Sequence, residues 1–137
     1  IPLRLVGSEM CIRDRFNAWM DRHLTTNKDA EDMSFILDNY LMANLDREAY
    51  MEVYDWEDFD EYVAGGYWLA NDLAKLLNRD QLVYYADKID EELQLEERSY
   101  LISQTLNSQS GLNYDQVRRT WQVISEVFRS ATEERDL

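Results

Sequence analysis

The chain has 137 residues, 28 acidic and 14 basic, for a formal charge of −14, with 45% apolar residues and 17 aromatics. That makes a single domain with a real core and excludes compositional disorder, and the acidity weighs against direct binding to nucleic acid phosphates, which needs Lys and Arg. One His and one Cys exclude a disulfide framework, a zinc cluster and any multi-His centre, and no apolar run approaches the roughly 18 residues of a membrane span.

Residues 1–15 read IPLRLVGSEMCIRDR. The stretch EMCIRDR resembles the translation of a transposase mosaic-end sequencing adapter. That resemblance implies a non-native leader over 1–15, with natural sequence from near Phe16. A signal peptide would need a longer apolar stretch and a small-residue cleavage site, which the Leu3-Arg4-Leu5-Val6 stretch lacks. Cys11 lies inside the leader and is given no redox role. Without the leader the chain carries 26 acids and 11 bases, a net of −15.

In chain order, Phe16, Trp19 and Met20 fit a short helix that ends near Leu24. Residues 25–27, Thr-Thr-Asn, break it and cap a helix over about 28–44. There Met33, Ile36, Leu37, Tyr40 and Leu41 recur at the period of one helical face, and Asp29, Glu31 and Asp32 favour its first turn. Asp46 is the expected N-cap of a short helix to Tyr54. Asp55 is read as the next N-cap, with Trp56, Phe59 and Val63 on one side of a helix that ends at Gly65-Gly66 in a left-handed C-cap. A further helix over 67–77 places Leu69, Leu73 and Leu76 on one stripe.

Asn78 with Gln81 has the pattern of a capping box, and so has Asn113 with Gln116. After the first, Leu82, Ala86, Ile89 and Leu93 hold core spacing, with a break near Gln94. After the second come Val117, Trp121, Ile124 and Phe128. Residues 108–111 form the clearest loop, and the polar tail 131–137 should fray. The fold class is therefore all-α: a single helical bundle of about six or seven helices over 16–130. An extended helical hairpin that dimerises is the alternative.

Charge is polarised. Residues 29–97 hold 20 acids and 4 bases, a net of −16. At one phosphate charge per roughly 1.7 Å of duplex, that matches about eight base pairs. The densest acids are Asp55, Glu57, Asp58, Asp60 and Glu61, followed by Asp87, Asp90, Glu91 and Glu92. Displayed on one face, these nine would imitate a short duplex and dock on the basic surface of a nucleic-acid-binding protein, fast and salt-dependently.

The Tyr54-Asp55-Trp56-Glu57-Asp58-Phe59 segment, followed by Gly65-Gly66-Tyr67-Trp68, resembles the aromatic-acidic segment near the end of ArdA-type antirestriction proteins. Those are elongated DNA mimics that block type I restriction enzymes. The resemblance covers about fifteen residues and implies an inhibitor of phage or mobile-element type, antirestriction or anti-CRISPR. The chain departs from that family in carrying some seventy further residues of helical pattern, so no fold is carried over.

Two readings compete with the mimic. One is a helical adaptor or oligomerisation module, such as a homodimer, whose acidic surface is merely solvated. The other is a helix-turn-helix regulator with Arg118 and Arg119 early in the recognition helix. Enzymatic chemistry is not expected. His23 has no Glu-x-x-His pair for a di-metal bundle. Asp58 and Asp60 begin like a calcium loop, but Tyr62 follows and the required glycine and glutamate are absent. There is no Gly-rich phosphate loop. No cofactor or metal is expected, and the chain is read as cytoplasmic. Trp56, Phe59, Trp68, Tyr84 and Trp121 are expected in the core by spacing, with Tyr62, Tyr67 and Tyr85 off the main stripes.

Overall fold

The computed structural model describes residues 8–44, 53 and 55–136. Among these it has six α-helices and no strand: α1 (Ser8–Arg22), α2 (Lys28–Ala43), α3 (Glu61–Ala74), α4 (Arg79–Gln94), α5 (Tyr100–Leu106) and α6 (Tyr114–Arg135). The all-α class is thus observed, and none of these helices is long and apolar enough to cross a membrane. The expected helix at 46–54 lies largely outside the described residues.

Both capping boxes form. Asn78 Oδ1 accepts the Gln81 N–H at 2.9 Å, and Gln81 Oε1 accepts the Asn78 N–H at 2.9 Å. Asn113 and Gln116 do the same at 2.9 and 3.3 Å. Each box satisfies donors that a helix start leaves orphaned. α4 ends where the sequence breaks, at Gln94, and a 3-10 turn (Glu96–Arg98) leads to α5. Glu92 fastens this joint by accepting the Ser99 hydroxyl at 2.8 Å and the Leu101 N–H at 3.2 Å.

The region around Gly65-Gly66 is built differently from expectation. It is not a C-cap between two helices. Asp60, not Asp55, is the N-cap, accepting the Val63 N–H at 3.0 Å, and one helix continues through both glycines to Ala74. The glycines serve packing instead. A Cβ on Gly65 would overlap the Leu37 carbonyl oxygen in α2, and one on Gly66 would stand 2.7 Å from Thr120 Cγ2 in α6. Absence of a side chain lets three helix backbones approach, which outweighs the roughly 1 kcal/mol that helical glycine costs. Because α3 stops at Ala74, Leu76 is exposed and Leu77 takes the buried position.

Two further expectations change at the ends. α1 begins at Ser8, inside the suspect leader, and puts Ile12 into the core beside Phe16. At the other end α6 runs to Arg135 where the sequence predicts fraying. Arg135 donates to the carbonyls of Ala74 and Leu77, meeting acceptors at the end of α3, and Arg79 Nε meets Asp136 at 2.7 Å. Tertiary partners hold a tail that composition alone would release.

α1 and α2 form an antiparallel hairpin closed by Arg22 on Asp29, with Nε–Oδ2 2.7 Å and Nη2–Oδ1 2.8 Å. Asp29 has no solvent exposure, and Arg15 lies 3.5 Å from it. α3 runs in the same sense as α6, with Asp60 beside Gln116 at one end and the Ala74 carbonyl beside Arg135 at the other. α4 runs against α6, with Arg79 by Asp136 and Asp90 by Ser125. α6 therefore lies between α3 and α4, and its stripe of Val117, Trp121, Ile124 and Phe128 is buried as expected, with Leu82, Ala86, Ile89 and Leu93 of α4.

The aromatics split differently from their expected roles. Trp121 is core and Trp56 and Trp68 pack partly buried against it, but Phe59 and Tyr84 are exposed. Tyr62 and Tyr85, off the main stripes, are buried. Each reaches a polar partner: Tyr62 shares a 3.0 Å hydrogen bond with Ser34, and Tyr85 donates to Asn17 at 2.9 Å. A buried tyrosine usually finds a partner for its hydroxyl, and these two do.

Candidate functional site

The nine singled-out carboxylates divide between the two flanks of α6. On the α3 flank, Asp58 accepts from Arg119 Nη2 at 3.1 Å, and Asp60 accepts the Gln116 amide at 2.8 Å. On the α4 flank, Asp90 accepts the Ser125 hydroxyl at 2.6 Å, and Arg129 bridges Asp87 at 2.7 Å and Asp90 at 2.6 Å. At about 100° per residue, the pair Gln116 and Arg119 and the pair Ser125 and Arg129 face directions about 130° apart around α6. Gln122 and Glu126 occupy the arc between them. The nine acids are therefore not brought to one face.

Several of the nine also have internal work. Asp60 caps α3, and Glu92 ties α4 to α5. The bonds from Asp90 and then Asp87 raise the Arg129 pKa, so that guanidinium stays charged between them. Glu91 has only a loose 3.9 Å contact with Lys88. An acid that neutralises a neighbouring arginine presents less field to a partner than its formal charge implies.

The α3 flank is the more coherent group. Asp55, Glu57, Asp58 and Glu61 are exposed at the approach to α3. A shallow depression of about 330 Å³ beside them is lined by Asp38 of α2, Asp60 and Glu61 of the α3 start, and Gln109 to Leu112 of the α5–α6 loop. That loop turns on Gly111, whose φ of +91° suits glycine. Three carboxylates line the depression itself, Asp38, Asp60 and Glu61, while Asp55, Glu57 and Asp58 are exposed along the segment that leads into α3. Beneath them burial pushes the Tyr62 hydroxyl pKa well up, the Ser34 bond opposes this, and Asp38 and Asp60 add to it. Phe59 stands exposed within the acidic segment.

Asp38 was not legible in the sequence. It is 22 residues from Asp60 and off the apolar stripe of α2, and only the packing of α2 on α3 brings it in. The two arginines also have partners within the fold. Arg119, a candidate recognition-helix residue, spends its guanidinium on the Asp58 carboxylate and carbonyl, and Arg118 donates to Gln122 at 3.1 Å.

A second exposed surface is apolar. Tyr84 of α4 touches Met20 of α1, hydroxyl to sulfur 4.0 Å, and Tyr100 of α5 lies 5.4 Å from the His23 ring. His23 stacks on Trp19 at 4.4 Å, as a boundary residue should. Leu24, 72% exposed, adjoins them. Among the described residues no cluster of three or more His, Cys, Asp or Glu is placed to hold a metal ion.

Comparison with protein-family models, with curated proteins and with solved structures finds no match to this chain.

Proposed function

We propose that the chain is a non-enzymatic acidic helical binding protein, of the DNA-mimic inhibitor type, that presents Asp38, Asp55, Glu57, Asp58 and Glu61 to a basic surface of a nucleic-acid-binding protein. One observation supports this reading: Asp38 of α2 meets Asp60 and Glu61 of the α3 start around one depression, and the segment that leads into α3 exposes further acids with Phe59 among them. An aromatic anchor ringed by charge is the composition of a docking surface, and a field of one sign steers a partner of the other. The second acidic group, Asp87, Asp90, Glu91 and Glu92, is left out of this surface because it lies on the α4 flank of α6.

The test is capture of DNA-binding proteins from a microbial lysate on the immobilised chain. The proteins retained should be released by salt and by competing duplex DNA. Reversal of Glu57 and Glu61 to Lys should abolish capture while the thermal melt stays unchanged. Retention that survives the reversal, or that duplex DNA does not compete, would remove the reading.

A second reading has its own observation. The Met20, Leu24, Tyr84 and Tyr100 surface supports an oligomerisation module, because exposed apolar patches mark association sites. In that case sedimentation gives a concentration-dependent mass that Tyr84→Ser reduces to the monomer.

A further inference from the structure

The side that α3 and α6 turn away from α2 and α4 holds a larger concavity, and it differs in character from the acidic face. Because the two helices run in the same direction, Tyr67 and Lys75 follow one another along α3 while Arg119 and Arg135 mark the corresponding levels on α6. The cleft between them has a volume of about 580 Å³. Its floor is small and apolar, from Ala74, Val127 and Ala131. Trp56 closes one end, edge-on to Tyr67 with ring centroids 5.2 Å apart.

Charge at the cleft is close to balanced. A chain of net −14 lines this cleft with Lys75, Arg119 and Arg135 against Glu126 and Glu134. The two arginines are engaged, Arg119 with Asp58 and Arg135 with the carbonyls that end α3. Lys75 makes no ion pair among the described residues and stands at the end opposite Trp56. Tyr67 and Lys75 are eight residues apart on one helix, a rise of about 12 Å.

These features select a ligand. The volume is that of one small organic molecule, within the range of roughly 300–1,000 Å³ usual for such sites. Aromatic walls and an alanine floor take a flat apolar body, and an unpaired ammonium at the far end takes a negative head. We propose that the α3–α6 cleft binds a small aromatic anion, its carboxylate or sulfonate on Lys75 and its ring against Trp56 and Tyr67. The site adjoins the acidic segment, since Trp56 lies between Asp55 and Glu57 and Arg119 binds Asp58, but its ligand contacts fall on other residues than the carboxylates of the proposed function.

The probe is 8-anilinonaphthalene-1-sulfonate, a small aromatic anion, titrated into the full chain and read by energy transfer from tryptophan. Saturable binding of one molecule per chain is expected. Lys75→Glu, an exposed change, should weaken it about tenfold or more. Ala131→Trp, which fills the floor, should abolish it. Tyr84→Ser, on the separate apolar surface, should leave it unchanged. Absence of saturable binding overturns the proposal, and so does a titration indifferent to Lys75→Glu or weakened equally by Tyr84→Ser. Each variant is first shown by circular dichroism to melt with the wild type. If Ala131→Trp fails that check, the Lys75 and Tyr84 pair decides.

Discussion

The Leu37 carbonyl oxygen of α2 occupies the space where a side chain on Gly65 of α3 would begin. Backbone stands against backbone at this point, and nothing flexible can give way. At the next residue, Gly66 faces the Thr120 methyl, a side-chain end that can rotate. The two adjacent glycines therefore differ in what they tolerate.

Gly65→Ala should destabilise the fold by about 2 kcal/mol or more despite the better helix propensity of alanine, because overpacking against main chain forces α2 and α3 apart. Gly66→Ala should cost about half of that or less, since Thr120 can move. Urea titrations of the two variants compare them directly. Equal effects would mean that the close approach of α2 and α3 is not rigid.

Asp29 is inaccessible and holds the α1–α2 turn through Arg22. The Arg22 hydrogen bond lowers its carboxyl pKa, burial opposes that, and the charges of Arg22 and Arg15 lower it further. A depressed folded pKa gives stability that is complete above the unfolded carboxyl value, about 4. It is lost as pH falls through the folded value. Arg22→Met should lower the melting temperature at pH 7, because it leaves the buried Asp29 carboxylate without its main hydrogen-bond donor. The gap between wild type and variant should narrow below pH 4. Thermal melts from pH 7 to pH 2 follow it.

Arg129 joins α6 to two carboxylates of α4. These groups are partly exposed, so Arg129→Met should cost only about 1 kcal/mol. It also leaves Asp87 and Asp90 facing each other without a cation. The loss should shrink in 1 M salt, where screening acts within about 3 Å. Melts at low and high salt check both statements.

Thr105 is buried, and its hydroxyl has no hydrogen-bond partner among the described residues. Thr105→Val keeps the shape and removes the stranded group. Such a replacement should leave stability unchanged or raise it by up to about 1 kcal/mol. A melting temperature lowered by several degrees would show that the hydroxyl is satisfied by water.

Local patterns carried much of the architecture. The capping boxes at Asn78 and Asn113 are complete within four consecutive residues, and the stripes of α4 and α6 repeat within one helix. Such features need no distant partner, so composition and spacing suffice to specify the all-α class and the starts of α2, α4 and α6. The aspects that misled are those decided across helices. Gly65-Gly66 has the form of a stop signal, but the approach of Leu37 and Thr120 makes it the interior of α3. Arg135 and Asp136 read as a loose tail until Ala74, Leu77 and Arg79 are placed beside them. The net charge of −14 is a property of the chain alone, whereas its display is not. Arg119 and Arg129, far along the sequence, draw Asp58, Asp87 and Asp90 to opposite flanks of α6, and the packing of α2 on α3 adds Asp38 to one of them. Coulomb attraction and close packing depend on distance in space, and that distance is set only when the helices meet.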